Sequence, residues 1–151
     1  MSAGTLFVYF ETKTVLVNEL YIALKSEMGR VAAEGGSAEA SPREQLRRMW
    51  DNWIDWATVD PARQRALAHL GVAEDLTEES HQKVGAAYSG IADFLRRVVD
   101  GGPMRNAPLG FVSTLLSAIA DATIDDLIRD PDPTGSRSTL AFDALWRALA
   151  G

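Results

Sequence analysis

Residues 41–58 read SPREQLRRMWDNWIDWAT, and this stretch decides the fold class. Ser41 suits the N-cap of a helix, Pro42 suits its first position, and Glu44 stands where a capping box needs an acid or amide. The apolar residues that follow recur every three or four positions, as on one face of a helix, rather than in the alternation of a strand. The stretch therefore predicts a helix over residues 42–58.

The stretches on either side have the same organisation, with capping and turn residues between segments of helical length. Thr12 suits the cap of a long helix, and Thr77 suits the cap of another. Asp60 followed by Pro61 suits the start of a shorter helix. No two segments alternate as paired strands do, so the sequence predicts an all-α fold. Further helices are predicted over residues 13–34, 61–73, 78–101, 109–129 and 136–150.

The composition excludes several classes of site. The chain has no cysteine and two histidines, which excludes disulfides, a thiol nucleophile and a cysteine-based metal site, and fits a reducing, cytoplasmic setting. The formal net charge of −6 argues against wrapping nucleic acid over a broad surface, so any contact with DNA must be local. The longest weakly polar stretch, residues 107–120, is shorter than the roughly 20 apolar residues of a membrane span, so we expect no membrane partner.

The segment at residues 109–124 is apolar around most of its circumference, which is typical of a helix covered on every side. In a domain of this size, one side can face its own core and a second copy of the chain can cover the other. We therefore expect a homodimer, with the final helix beside this one; the alternative is a monomer with one central helix. The expected interface residues are Val112, Leu116, Ile119, Thr123, Leu127, Leu145, Trp146 and Leu149.

The opening run, residues 2–16, reads SAGTLFVYFETKTVL. It resembles the recognition helix and following turn of the TetR/AcrR family of transcription regulators. The family pattern is a small residue, Gly-Thr-Leu-Tyr/Phe, a variable residue, Tyr/His-Phe, a short linker, and Lys before an apolar helix. The resemblance is dense over residues 2–24, and beyond it only the number, lengths and order of helices match. It implies a helix-turn-helix DNA-binding domain followed by a helical bundle that binds a ligand and dimerises.

The resemblance also implies roles for individual residues in that run. The short helix would lie in the major groove of operator DNA, with Leu6, Phe7 and Phe10 as residues of a small core. Lys13 would stand at the start of the next helix, where free backbone N–H groups also attract phosphate. The residues that the resemblance places toward DNA are Ser2, Ala3, Thr5, Val8, Tyr9 and Lys13.

The DNA-binding domain of this family has two further helices ahead of such a run, and Met1 stands where they should end. We therefore expect the natural protein to begin upstream, with a natural short form as the alternative. Residues 1–16 are expected to be the remnant of the helix-turn-helix domain. Residues 17–151 are expected to be the effector-binding and dimerisation domain.

The helix over residues 42–58 carries a candidate wall for the effector pocket that the resemblance implies. Trp50, Trp53 and Trp56 recur every three residues on one broad face, and tryptophan offers a large apolar surface with one N–H donor. The alternative is that these aromatic side chains only fill the core, and His69 could equally lie half-exposed on the surface. The expected pocket residues are Met28, Met49, Trp50, Trp53, Trp56, His69, Tyr88 and Phe111.

No set of residues predicts an enzyme, and we expect no cofactor. Glu78 and His81 have the spacing of a metal-binding pair on one helix face, but no second copy of the pair exists on another helix. The sequence therefore predicts a ligand-responsive, DNA-binding transcription regulator, a repressor that a small apolar or aromatic effector releases from its operator. The alternative is a stand-alone helical ligand-binding or dimerisation module that does not bind DNA.

Overall fold

The computed structural model describes residues 3–151, except for the side chains of Leu6, Phe7 and Phe10. Within this part of the chain every regular element is an α-helix, so the all-α fold predicted from the sequence is confirmed. The helices are α1 (Ala3–Ala33), α2 (Pro42–Val59), α3 (Pro61–Gly71), α4 (Glu78–Ala87), α5 (Ser89–Val99), α6 (Leu109–Arg129) and α7 (Ser136–Leu149).

The first helix, α1, is continuous across the expected turn, so the predicted helix start at Thr12 is wrong. No glycine or proline stands between Gly4 and Gly29, and a threonine inside a helix costs only a few tenths of a kcal/mol. A capping residue therefore does not end a helix that its neighbours can propagate. The boundary expected at residue 16 lies inside α1.

The start of α2 has the predicted capping box. Ser41 caps the helix, the backbone N–H of Glu44 donates to its Oγ at 3.3 Å, and the backbone N–H of Ser41 donates to Glu44 Oε2 at 2.8 Å. The predicted caps Asp60 and Thr77 also accept backbone N–H groups, from Ala62 at 3.2 Å and from Ser80 at 3.2 Å. These starts were predictable because each is fixed by residues within one helical turn.

The single helix predicted over residues 78–101 is instead two helices, α4 and α5, which meet at Tyr88. The hydroxyl of Tyr88 donates to the backbone carbonyl of Lys25 on α1 at 2.7 Å. Gly85 and Gly90 weaken the helix on either side of this anchor. A contact with α1 therefore sets the break, and the local sequence only permits it.

The helices pack as a bundle around α2. Helix α1 packs on α2, α3 and α4, while α2 also contacts α6 and α7, and α6 contacts α5 and α7. The centre is filled by α6 and α7 side chains that are fully buried. They are Val112, Ile124, Phe142, Leu145 and Leu149. Within residues 3–151, each helix is too short or too polar to cross a membrane.

Candidate ligand-binding site

A cavity of about 210 Å³ lies between α1, α2, α4, α5, α6 and α7, and we refer to it as the inner cavity. Its wall is mainly apolar and aromatic, and Lys25 is the one charged side chain among the described residues that line it. The lining residues are Tyr21, Lys25, Met28, Ala32, Leu46, Met49, Trp50, Trp53, Val84, Tyr88, Ile91, Leu95, Ser113, Leu116, Ser117 and Leu145.

A second, larger space of about 790 Å³, the outer groove, borders the inner cavity. The two share five lining residues, which mark the junction between them. Beyond the junction the groove is more polar, and its wall includes Gln64, Arg65, Asp121, Asp125 and Arg129. A ligand could therefore reach the inner cavity through a charged entrance. The shared residues are Tyr21, Lys25, Met28, Trp53 and Ser117.

Five of the eight residues predicted for the pocket line the inner cavity: Met28, Met49, Trp50, Trp53 and Tyr88. The other three predictions are corrected by the structure. Phe111 is 54% exposed on the outer side of α6, and His69 lies on the surface, as its alternative interpretation had it. Trp56 is buried, but it packs outside both spaces, with the Arg63 guanidinium 5.4 Å from its ring centroid.

Two tryptophans form the α2 wall of the inner cavity. Trp50 is held from behind, because its Nε1 donates to Ser138 Oγ at 3.0 Å and its ring centroid lies 6.2 Å from that of Phe142. Trp53 lines both the cavity and the groove, and its buried Nε1 has no hydrogen-bond partner among the described residues. The cavity therefore has one fixed aromatic wall and one at its mouth.

Tyr88 forms the opposite wall and connects it to α1. A Cβ added at Gly29 would lie 3.0 Å from the Tyr88 ring, so this position on α1 needs glycine for close approach of the ring. Burial raises the pKa of Tyr88 well above its ordinary value, so the hydroxyl stays a donor to Lys25. Tyr88 therefore holds α1 at the level of the cavity.

Lys25 is a site residue that the sequence interpretation missed. It is half-buried, and burial lowers the pKa of its ammonium group, an effect that the nearby Asp121 carboxylate partly opposes. It lies four residues after Tyr21 and three before Met28, so all three share one face of α1. A lysine on the apolar face of a predicted helix was the signal that could have identified it.

A polar cluster joins α1 to the loop ahead of α4. Asn18 is 9% exposed, its Nδ2 donates to the backbone carbonyl of Asp75 at 2.8 Å, and its Oδ1 accepts from Ser80 Oγ at 2.6 Å. The Asp75 carboxylate in turn accepts from Thr14 Oγ1 at 3.0 Å and lies 3.5 Å from Lys13 Nζ. Residues 13–18 of α1 are therefore fixed to the loop one turn above the cavity.

Five of the six predicted DNA-contact residues lie on the first part of α1. Ala3, Thr5, Val8, Tyr9 and Lys13 are exposed there, and Thr5, Tyr9 and Lys13 follow one face at four-residue steps. Lys13 is inside the helix, so its expected position beside free N–H groups at a helix start is wrong. The predicted contact Ser2 and the expected small-core side chains of Leu6, Phe7 and Phe10 lie outside the described residues.

The predicted dimer residues do not share one environment. Val112, Leu145 and Leu149 are fully buried in the single chain, so these three are core residues. Thr123 is 9% exposed and lines a depression on the surface of α6. The apolar pattern did not distinguish a core from an interface, because both need apolar side chains. Leu116 lines the inner cavity. The three that remain half-buried and near the surface are Ile119, Leu127 and Trp146.

Comparison with known proteins finds no family model that matches the chain, but its fold is similar to that of solved structures. One of these is a protein from Shewanella sp. PV-4 that is described as a TetR family transcription regulator. Its fold matches all of this chain and 82% of its own length, with a TM-score of 0.82 and 18% sequence identity. The chain therefore has the all-α fold of a TetR-type regulator.

Proposed function

We propose that this chain is the ligand-sensing part of a TetR-type transcription regulator, a repressor that a small effector releases from operator DNA. The observation that supports this proposal is that one helix carries both the cavity residues and the residues predicted to contact DNA. Helix α1 contributes Tyr21, Lys25 and Met28 to the cavity, and its first turns carry the exposed run of predicted DNA contacts that includes Thr5 and Tyr9. A shift of α1 at the cavity would move that run.

The proposed mechanism depends on the two fixed points of α1. Tyr88 holds α1 through the Lys25 carbonyl, and the Asn18 cluster holds it about two turns nearer the N-terminus. A ligand that pushes apart Tyr88 and Trp53 would tilt the helix about the second point. Because a ligand shifts an equilibrium only by its differential affinity for the two states, the effector must bind the tilted state more tightly.

We also propose that the active form is a homodimer built on the outer faces of α6 and α7. Phe111 is 54% exposed and Leu140 is 67% exposed, and Ala118 and Ala122 lie on the surface between them. Exposed apolar side chains grouped in this way are typical of contact surfaces. Ile119, a half-buried residue of the expected interface, lies beside Ala118 and Ala122 on this surface.

The second candidate function is a helical ligand-binding or dimerisation module that does not bind DNA and is not an enzyme. The observation that favours it is the electrostatics of α1. The ammonium group of Lys13, the expected phosphate contact, already lies 3.5 Å from Asp75 Oδ2, and the chain carries a net charge of −6. The two candidates differ in whether Lys13 binds a DNA phosphate or only pairs with Asp75 within the fold.

A selection experiment on the natural protein separates them. Duplexes that it retains from a random-sequence pool would be sequenced, and its affinity for the selected site measured at several salt concentrations. Lys13→Gln should weaken binding and reduce the salt slope by about one per chain, since one phosphate contact is lost. Lys83→Gln, on the far side of α4 and paired with Glu79, is the matched control. Recovery of no preferred sequence would favour the second candidate.

A further inference from the structure

The charge of Lys25 is unusual in its setting. Among the described lining residues it is the only charged side chain of a mainly apolar and aromatic wall, and it stands at the junction of the inner cavity with the outer groove. None of the ion pairs among the described residues includes Lys25. The Asp121 carboxylate only partly offsets the burial of this cation, so the position gains from an added negative group on its inner side.

The α6 wall of the same cavity offers further donors. Ser113 and Ser117 stand four residues apart on α6, so their side chains lie on the same face of that helix, and both line the inner cavity. Neither hydroxyl has a hydrogen-bond partner among the described residues. A group that accepts several hydrogen bonds would satisfy these hydroxyls and the ammonium together.

The carboxylates of the groove do not replace such a group. Asp121 Oδ1 accepts from Gln64 Nε2 at 2.9 Å, and Asp125 is exposed. Both line only the outer groove, whereas Lys25 also faces the inner cavity. The carboxylates at this junction therefore lie on the side of the outer groove, and the side of the inner cavity has only the positive charge of Lys25.

We propose that the effector is a small monocarboxylic acid with an apolar body, bound with its carboxylate at Lys25 and its body between Trp50, Trp53 and Tyr88. The inner cavity, at about 210 Å³, is below the 300–1,000 Å³ typical of ligand sites, so the body is about the size of one aromatic ring or a short alkyl chain. This inference rests on the proposed function, because it names the class of ligand for the same cavity.

Three matched probes test the class of ligand. They are 3-phenylpropanoate, 3-phenylpropan-1-ol and 3-phenylpropylammonium, which share one apolar body and differ in charge. Their dissociation constants would be measured by titration calorimetry with the whole chain. The acid should bind at least tenfold more tightly than the alcohol, and the ammonium compound should bind most weakly. An alcohol that binds as tightly as the acid, or an amine that binds best, would overturn the inference.

Substitution of the lysine tests the contact itself. Lys25→Met keeps the length of the side chain without its charge, and it should weaken binding of the acid about 10- to 100-fold while leaving the alcohol unchanged. Lys83→Met is the matched control, since Lys83 is exposed on α4 and its substitution should change neither the affinity for the acid nor that for the alcohol. Lys25→Arg keeps the charge and should retain the preference for the acid. If the Lys25→Met variant also binds the acid more tightly than the alcohol, the contact between Lys25 and the carboxylate is refuted.

The outcomes also distinguish this inference from the proposed function. If the alcohol and the acid bind equally and Trp53→Ala weakens both, the cavity is a ligand site and only the anionic class is wrong. If none of the three probes binds, both the anionic ligand and the proposed effector site are overturned.

Discussion

The first turns of α1 and the whole of α2 are both regular helices, but they differ in what covers their apolar side chains. In α2, Leu46 and Trp50 are 3% and 2% exposed. In α1, Val8 and Tyr9 are each 60% exposed, and Leu16 is 61% exposed. Helical structure therefore does not depend on burial along α1, whereas α2 is the centre of the packed bundle. A helix end with uncovered apolar and basic residues is suited to contact another molecule.

The largest expected effect follows from removing a core side chain. Phe142 is 1% exposed, packs against Trp50 and carries the guanidinium groups of Arg43 and Arg47 over its ring. Phe142→Ala should lower the free energy of unfolding by about 3–5 kcal/mol, through lost burial and the cavity left behind. Val8→Ala, the control in the exposed part of α1, should change it by less than about 0.5 kcal/mol. Urea unfolding followed by circular dichroism measures both.

Equal losses for the two substitutions would contradict the contrast between the bundle and the first turns of α1. A large loss for Val8→Ala would mean that this part of α1 is packed against protein in solution.

A second effect concerns the cavity and distinguishes its wall from the surface. Trp53→Ala removes an aromatic wall at the mouth and should weaken ligand binding roughly 10- to 100-fold, with the dimer unchanged. Val59→Ala is the control, because Val59 is exposed at the end of α2 and lines neither space. Titration calorimetry with 3-phenylpropanoate gives both affinities. Reduced affinity in the Val59 variant alone would show that the cavity is misplaced.

A smaller effect separates a true helix cap from an apparent one. Ser41→Ala should cost about 1 kcal/mol, because it removes the acceptor of the Glu44 N–H and opens the capping box. Thr12→Ala should leave stability unchanged or raise it by a few tenths of a kcal/mol, since Thr12 lies exposed inside α1. Thermal unfolding measures both. A loss of about 1 kcal/mol at Thr12 would restore the helix start predicted there from the sequence.

The smallest expected effect is a pH dependence in the turn before α7. The Asp132 carboxylate accepts the backbone N–H of Arg137 at 2.9 Å and the hydroxyls of Thr134 and Ser136 at 2.6 and 3.0 Å, and these bonds hold its pKa well below its ordinary value. Since the folded pKa lies below the unfolded value near 4, the carboxylate stabilises the fold above about pH 4, and this is lost on further acidification.

Asp132→Asn should therefore destabilise the protein at neutral pH and flatten part of the decline in stability below about pH 4. Asp100→Asn, which removes an exposed carboxylate at the end of α5, is the control for the loss of one surface charge. Unfolding free energies measured from acidic to neutral pH give the comparison. If the Asp132→Asn variant keeps the wild-type profile, these bonds do not stabilise the fold.

The features that sequence reasoning predicted are those fixed within one helical turn. The caps at Ser41, Asp60 and Thr77 are local arrangements of side chain and backbone, and all three are confirmed. The break at Tyr88 escaped prediction because a carbonyl on α1, 63 positions earlier, anchors it. The helix start predicted at Thr12 is wrong for the opposite reason, since a favourable cap residue does not begin a helix when the helix continues through it.

The candidate site was predictable in part, and the limit has a physical cause. The tryptophan spacing on α2 identified one wall, yet Trp50 and Trp53 line the cavity while Trp56 does not, because successive three-residue steps rotate around the helix. Val112 and Leu145 are apolar, as residues of an interface often are, but both are buried in the core of the single chain. The periodicity of apolar residues does not distinguish an interface from a core. Lys25 could have been noticed as a lysine on an apolar helix face, but its position at the junction of the inner cavity and the outer groove depends on the tertiary structure.

The measurement that tests the central claim most directly is the affinity of the natural protein for its selected DNA site, with and without the tightest-binding of the three probes. The account predicts that the probe weakens DNA binding, that DNA weakens probe binding by the same factor, and that Trp53→Ala removes the coupling. A probe that binds in the cavity and leaves the DNA affinity unchanged would contradict the proposal that α1 connects the two sites.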